Sequence, residues 1–144
     1  MRNVLNINSG WEFYKNASDI TALSGGESVD LPHSWNAIDG QDGGNDYFRG
    51  TCVYTKTIDK ATLAAADDYY LEIRGANSSA DVYANGEKLC HHDGGYSTFR
   101  VKLTDALKEG KCELAIAVDN SSSDEVYPQM ADFTFYGGLY RDVN

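Results

Sequence analysis

The dipeptide Asn85-Gly86 lies between Asp81-Val82-Tyr83-Ala84 and Glu87-Lys88-Leu89-Cys90. A two-residue hairpin loop of type I′ needs a positive φ at both central positions, and Asn-Gly meets that need at low steric cost. The chain must therefore double back here as two antiparallel strands. The same pattern recurs along the sequence as short alternating runs broken by Gly, Asn and Asp. Residues 51–58 place Cys52, Tyr54, Lys56 and Ile58 on one face and Val53, Thr55 and Thr57 on the other. Residues 69–74 bring Tyr69, Leu71 and Ile73 together, and 98–103 do the same for Phe99, Val101 and Leu103. Leu114, Ile116 and Val118 share a face in 113–118. Shorter runs at 11–14, 28–31, 133–135 and 139–143 complete the set, with a loop expected over 36–48. A period of two is the signature of half-buried strands.

Helix has little room. Ala61–Ala66 and Thr104–Lys108 are each long enough for a turn or two, with Thr104 as a candidate cap. Many short strands at close spacing, joined by Gly/Asn/Asp turns, predict an all-β sandwich. At 144 residues the chain is expected to form one domain over 1–144. It cannot contain a catalytic (β/α)8 barrel, which takes about 250 residues.

Charge narrows the partners. Twelve basic against 22 acidic residues give a net charge of −10, which repels phosphate backbones and anionic lipid, so neither nucleic acid nor membrane is an expected partner. Met1-Arg2-Asn3 leads straight into polar sequence, so the chain is read as cytoplasmic or as starting after a removed signal. Cys52, Cys90 and Cys112 are odd in number and widely spaced. They are expected to act as small apolar side chains, not as a disulfide framework. His91 and His92 are adjacent on a strand and face opposite ways, which denies them a shared metal ion. Asp39, Asp42 and Asp46 sit in a Gly-rich loop whose spacing does not fit an EF-hand, so a calcium site over 39–46 stays open beside a plain solvated loop. Asn16, Asn77 and Asn120 open N-x-S patterns expected by chance in so Asn/Ser-rich a chain. No G-x-S-x-G occurs, and no carboxylate pair can be singled out for acid/base work. No catalytic residue, metal ligand or cofactor is assigned.

The segment Asp132-Phe133-Thr134-Phe135-Tyr136-Gly137-Gly138-Leu139-Tyr140-Arg141-Asp142-Val143 remains. Aromatic rings bracket a Gly-Gly turn between an acid and an Arg-Asp pair. Sugars are gripped by aromatic faces and by carboxylate or guanidinium groups. The same residues also read as a last turn and an edge strand with a paired arginine.

In this stretch the chain resembles the sugar-binding domain of glycoside hydrolase family 2, the family of β-galactosidases, β-glucuronidases and β-mannosidases. Other segments resemble it in order: Gly10-Trp11-Glu12-Phe13, Leu31-Pro32-His33-Ser34-Trp35, Tyr47-Phe48-Arg49-Gly50, His92-Asp93-Gly94-Gly95-Tyr96-Ser97-Thr98-Phe99 and Val118-Asp119-Asn120. The resemblance implies a jelly-roll β-sandwich of the galactose-binding-domain type. It implies an accessory role in a β-galactosidase-like exo-glycosidase acting on terminal β-glycosides. The domain would lean on the catalytic barrel and contribute side chains to the pocket for the terminal sugar. Asp132 is the expected sugar contact, with Arg141 and Tyr136 beside it; Phe135, Tyr140 and Trp35 are expected in the wall, the core or the domain interface. The enzyme implied is retaining, with two glutamates about 5–5.5 Å apart. Those glutamates belong to the barrel, so this stretch alone is not expected to hydrolyse a glycoside. A free-standing carbohydrate-binding module and a plain interface domain are the competing readings. The sugar, the oligomeric state and the choice between bacterial periplasm and cytoplasm are not set by these residues.

Overall fold

A computed structural model describes residues 4–15, 17, 19–31, 51–63, 66–76, 79–93, 98–119 and 143–144. Eight strands run in chain order: β1 (Trp11–Tyr14), β2 (Glu27–Val29), β3 (Thr51–Asp59), β4 (Tyr70–Ile73), β5 (Ser79–Ala84), β6 (Glu87–Asp93), β7 (Phe99–Lys102) and β8 (Lys111–Asp119). Six form one antiparallel sheet in the order β2-β1-β3-β8-β5-β6, and β4 pairs with β7 in a second. The expected all-β sandwich is the observed architecture.

The apolar alternation lies where the period of two puts it. Cys52, Tyr54 and Ile58 of β3 and Leu114, Ile116 and Val118 of β8 face Leu71 and Ile73 of β4 and Phe99 and Val101 of β7 in one buried cluster. Trp11 closes one side of this core; it is fully buried, and its Nε1 donates to the Ile7 carbonyl at 2.6 Å. The outer face of the large sheet is buried too, at Val53, Ala115 and Ala117, where Ile20, Leu23, Tyr14 and Tyr83 pack on it. Gly26 passes so close to β1 that a Cβ would lie 2.7 Å from the Tyr14 ring. A larger residue there would have to displace the ends of the Tyr14 and Glu12 side chains.

The hairpin turns as expected, with Asn85 at φ 52° and Gly86 at φ 85°. Asn85 also ties the turn to its neighbours: Nδ2 donates to the Ala106 carbonyl and Oδ1 accepts from the Glu113 amide, each at 2.9 Å.

Several expectations are corrected. Strand β2 ends at Val29 and not at Leu31. The described part of Ala61–Ala66 holds only a 3-10 turn, Lys60–Thr62, capped by Asp59 through the Ala61 amide at 3.0 Å. A segment this short cannot nucleate an α-helix. Residues 104–108 form linked turns without helix. Thr104 caps nothing: its Oγ1 accepts from the Tyr69 amide at 3.0 Å and donates to Asp68 Oδ1 at 3.2 Å. The hydroxyl serves the neighbouring strand, where the alternative was an isolated turn.

Cys52 and Cys112 are buried, Cys90 is half-buried, and none of the three is joined in a disulfide. Burial, with Glu113 adding to it, pushes the Cys112 thiol up to about 11. It stays protonated and packs as a small apolar group.

Candidate functional site

The strand ends gather in a row. Thr51 pairs with Asp119, Asp119 with Ser79 and Ser79 with Asp93, so four strands of the large sheet end on one line. At the same end of the sandwich Ile73 pairs with Phe99 and bridges Val143. His92 stacks on Phe99 across the two layers, with ring centroids 4.1 Å apart and 14° between planes. Its Nε2 is buried without a hydrogen-bond partner. Thr51 Oγ1 donates to Asp119 Oδ2 at 3.3 Å. Here β4 ends at Ile73, β6 at Asp93 and β8 at Asp119, beside the starts of β3, β5 and β7.

Beside this row His91 sits on the outer face of β6. Its Nδ1 lies 2.5 Å from Asp81 Oδ1 and its Nε2 lies 3.0 Å from Asp93 Oδ1. Lys88 Nζ is 3.2 Å from the same Asp81 oxygen. With a carboxylate at each ring nitrogen the doubly protonated imidazolium is favoured; the hydrogen bond to Asp81 is the chief cause that raises its pKa, and Asp93 adds to it. The group is half exposed, so water screens the pair and its contribution to stability is small. His92, one residue on, points the other way, as strand alternation requires. Among the described residues no group of three His, Cys, Asp or Glu side chains could hold a metal ion.

The opposite end carries a groove of about 750 Å³ floored by Leu71, Leu103 and Leu107 and edged by Val4, Leu5 and Tyr70. At its rim Glu72, a buried acid, accepts from Arg74 Nε at 3.0 Å, Arg100 Nε at 3.0 Å and Asn144 Nδ2 at 3.1 Å. Arg74, then Asn144 and Arg100, hold its carboxyl at about 2, against the opposing push of burial. The folded-state pKa is depressed, so this stability is complete above the ordinary value of 4.5 and is lost as pH falls toward 2. Glu72→Gln should flatten the fall in Tm between about pH 5 and pH 2.5. Equal slopes in the two proteins would take Glu72 out of the acid transition.

Asp132, Tyr136 and Arg141 lie outside the described residues, as do Trp35, Phe135, Tyr140, the run 133–135 and the 39–46 loop. The Glu72 and His91 clusters were not singled out from the sequence. The Glu72 cluster joins residues 28 and 72 positions apart in the chain, and the His91 cluster depends on a bulge in the β5–β6 hairpin that its turn residues do not announce.

The profile described as "Glycosyl hydrolases family 2, sugar binding domain" matches residues 28–144. A putative β-glucuronidase of Formosa agariphila is 41% identical over 143 residues, which is 96% of this chain and 17% of that protein. A β-galactosidase of Thermoanaerobacterium thermosulfurigenes is 28% identical over 161 residues, covering 100% of this chain and 21% of that protein. Among solved structures, the FMN-binding β-glucuronidase from Facaelibacterium prausnitzii L2-6 superposes with a TM-score of 0.82 at 39% identity, over 96% of this chain and 21% of that one. The chain thus spans about a fifth of the length of the relatives it matches. With the fold and the sequence in agreement, the chain belongs to glycoside hydrolase family 2 and corresponds to its sugar-binding domain.

Proposed function

We propose that this domain, a jelly-roll of the galactose-binding type over residues 1–144, is a non-catalytic part of an exo-glycosidase that removes terminal β-linked sugars. Its work is to lend side chains to the pocket for the terminal sugar. Asp132 binds sugar hydroxyls, and Arg141 and Tyr136 support it. The partner that completes the pocket is a catalytic barrel, which carries the two glutamates of a retaining mechanism. The relatives are named β-glucuronidases and β-galactosidases, so the sugar is a β-glucuronide or a β-galactoside.

One observation carries this reading. The strand ends Asp93, Asp119 and Val143, from which the Gly-Gly-Tyr segment and the Asp132 segment depart or return, share one end of the sandwich. Functional side chains concentrate on the connections that a rigid sandwich presents at its ends. Both segments that resemble the family pattern are bounded by these strand ends.

The reading is tested by titrating the chain of 144 residues with glucuronic acid and with galactose in a calorimeter. A domain that supplies part of a pocket gives no measurable heat at millimolar sugar. Saturable binding in the micromolar range would favour a free-standing carbohydrate-binding module instead.

A further inference from the structure

In the order β2-β1-β3-β8-β5-β6, β6 comes last and pairs with β5 on one side. A strand held along one side opens at its ends more readily than the middle of a sheet. Most of β6 is exposed; of its seven residues Cys90 and His92 are half-buried. Its last three residues, His91 to Asp93, lie opposite Asp81, Ala80 and Ser79. His92 fastens them inward by its stack on Phe99. On the outer face the fastening is His91, which the register shift in the hairpin sets opposite Asp81.

The ring of His91 joins β5 to the last residue of β6. Its Nδ1 meets Asp81 at 2.5 Å and its Nε2 meets Asp93 at 3.0 Å. An ionised carboxylate only accepts hydrogen bonds, so both ring nitrogens must donate, and only the imidazolium can do that. A neutral imidazole has one N–H and one lone pair. Once the proton is lost, one carboxylate faces that lone pair and repulsion replaces the bond. Asp81 has the shorter contact and also Lys88 Nζ at 3.2 Å. The remaining proton therefore stays on Nδ1, the bond to Asp81 loses its charge assistance, and the link to Asp93 opens.

Other groups on this face act in the same direction. The titratable side chains there are Asp81 and Tyr83 of β5, Lys88 and Asp93 of β6 and, one strand further in, Asp119 of β8, which accepts from the Thr51 hydroxyl. Three carboxylates against one lysine favour the charged ring. The hydrogen bond to Asp81 is the chief cause that lifts His91 above its ordinary 6.5. The stabilisation is therefore complete below 6.5 and is lost as pH rises through the raised value. The His91 side chain is 47% exposed, so the loss is local to the strand end.

We propose that His91 is a proton-operated latch that ties the last residue of β6 to β5 when charged and releases Asp93 when neutral. Asp93 opens the Asp93-Gly94-Gly95-Tyr96 segment, so the latch sets how firmly that segment is rooted on the sandwich. It works in this way whether or not this end of the molecule binds sugar.

The test follows amide hydrogen exchange by NMR, corrected for the intrinsic rate, beside the titration of the His91 ring signals. Protection of the amides in 91–93 should fall about three- to fivefold between about pH 6 and pH 9, the scale of an exposed ion pair, with the midpoint of the ring titration. Amides in 115–117, in the middle of β8, should keep theirs. In Asp93→Asn the side-chain amide can accept from the charged ring and donate to the neutral one, so the fall should disappear. His91→Gln, which does not titrate, should give a flat profile as well. A flat profile in the parent chain, an undiminished fall in Asp93→Asn, or a parallel fall in 115–117 would each overturn the latch.

Discussion

In the exo-glycosidase proposed above, Asp132→Ala is expected to lower kcat/KM about 10- to 150-fold while the Tm of the protein stays unchanged. The figure follows from the physics of a charged acceptor. A hydrogen bond to a carboxylate in a site closed from water is worth about 1.5–3 kcal/mol, and each 1.4 kcal/mol is about a factor of ten in rate. The loss should fall on both a chromogenic β-glucuronide and a β-galactoside if the carboxylate grips hydroxyls common to them. Asp132→Asn should retain part of the rate, because the amide oxygen still accepts a hydrogen bond. Unchanged kinetics in the alanine variant would remove Asp132 from the sugar site and leave the domain a plain interface. The calorimetric titration of the separate chain tests a different point, whether the pocket is complete without the barrel.

The second large effect is on folding. Trp11 is fully buried and holds the 4–8 segment through the 2.6 Å bond to Ile7. That segment in turn flanks Val143. Trp11→Ala should cost about 3–5 kcal/mol, since the β-sandwich cannot collapse into the space left by an indole. For a domain of this size that is a fall in Tm of roughly 10–20 °C by thermal unfolding. Trp11→Phe refills most of the volume and forfeits the hydrogen bond, so its loss should be near 1–2 kcal/mol. A loss below 1 kcal/mol for the alanine variant would mean that the 4–8 segment and Val143 do not depend on the indole.

The Glu72 cluster shows how burial and exposure share the energetics of one network. Removing one partner of a fully buried ion pair is costly because the other charge is stranded. Here the carboxylate is buried, but the side chains of Arg74 and Arg100 are 50% and 52% exposed. They regain water when Glu72 is lost. The carboxylate is the member that needs its partners, and its titration, more than its deletion, reveals the network.

Much of this architecture can be read from neighbouring residues alone. Two positive φ angles at Asn85-Gly86 follow from the sterics of those two residues, and the inward faces of β3, β4, β7 and β8 follow from alternation within each run. Family membership is legible for a similar reason: short motifs kept in order across the chain. What adjacency could not supply is register between distant strands. A regular two-residue hairpin would set Asp81 opposite Cys90. The ladder pairs Tyr83 with Lys88 but Val82 with Cys90, so a bulge inserts Leu89 and moves His91 opposite Asp81. That one residue decides which histidine meets the carboxylates and which lies on Phe99. Ala115 and Ala117 alternate with the inward residues of β8, yet Ala17, Ile20 and Leu23 pack on them. Glu72 reads as an outward acid on β4. It is buried because Arg100 and Asn144, 28 and 72 residues further along, close over it. Backbone sterics and the period of a strand act within a few residues and are written locally. Bulges, sheet order and the burial of a charge are settled only when segments far apart in the chain compete for the same space, and that competition takes place in the folded molecule.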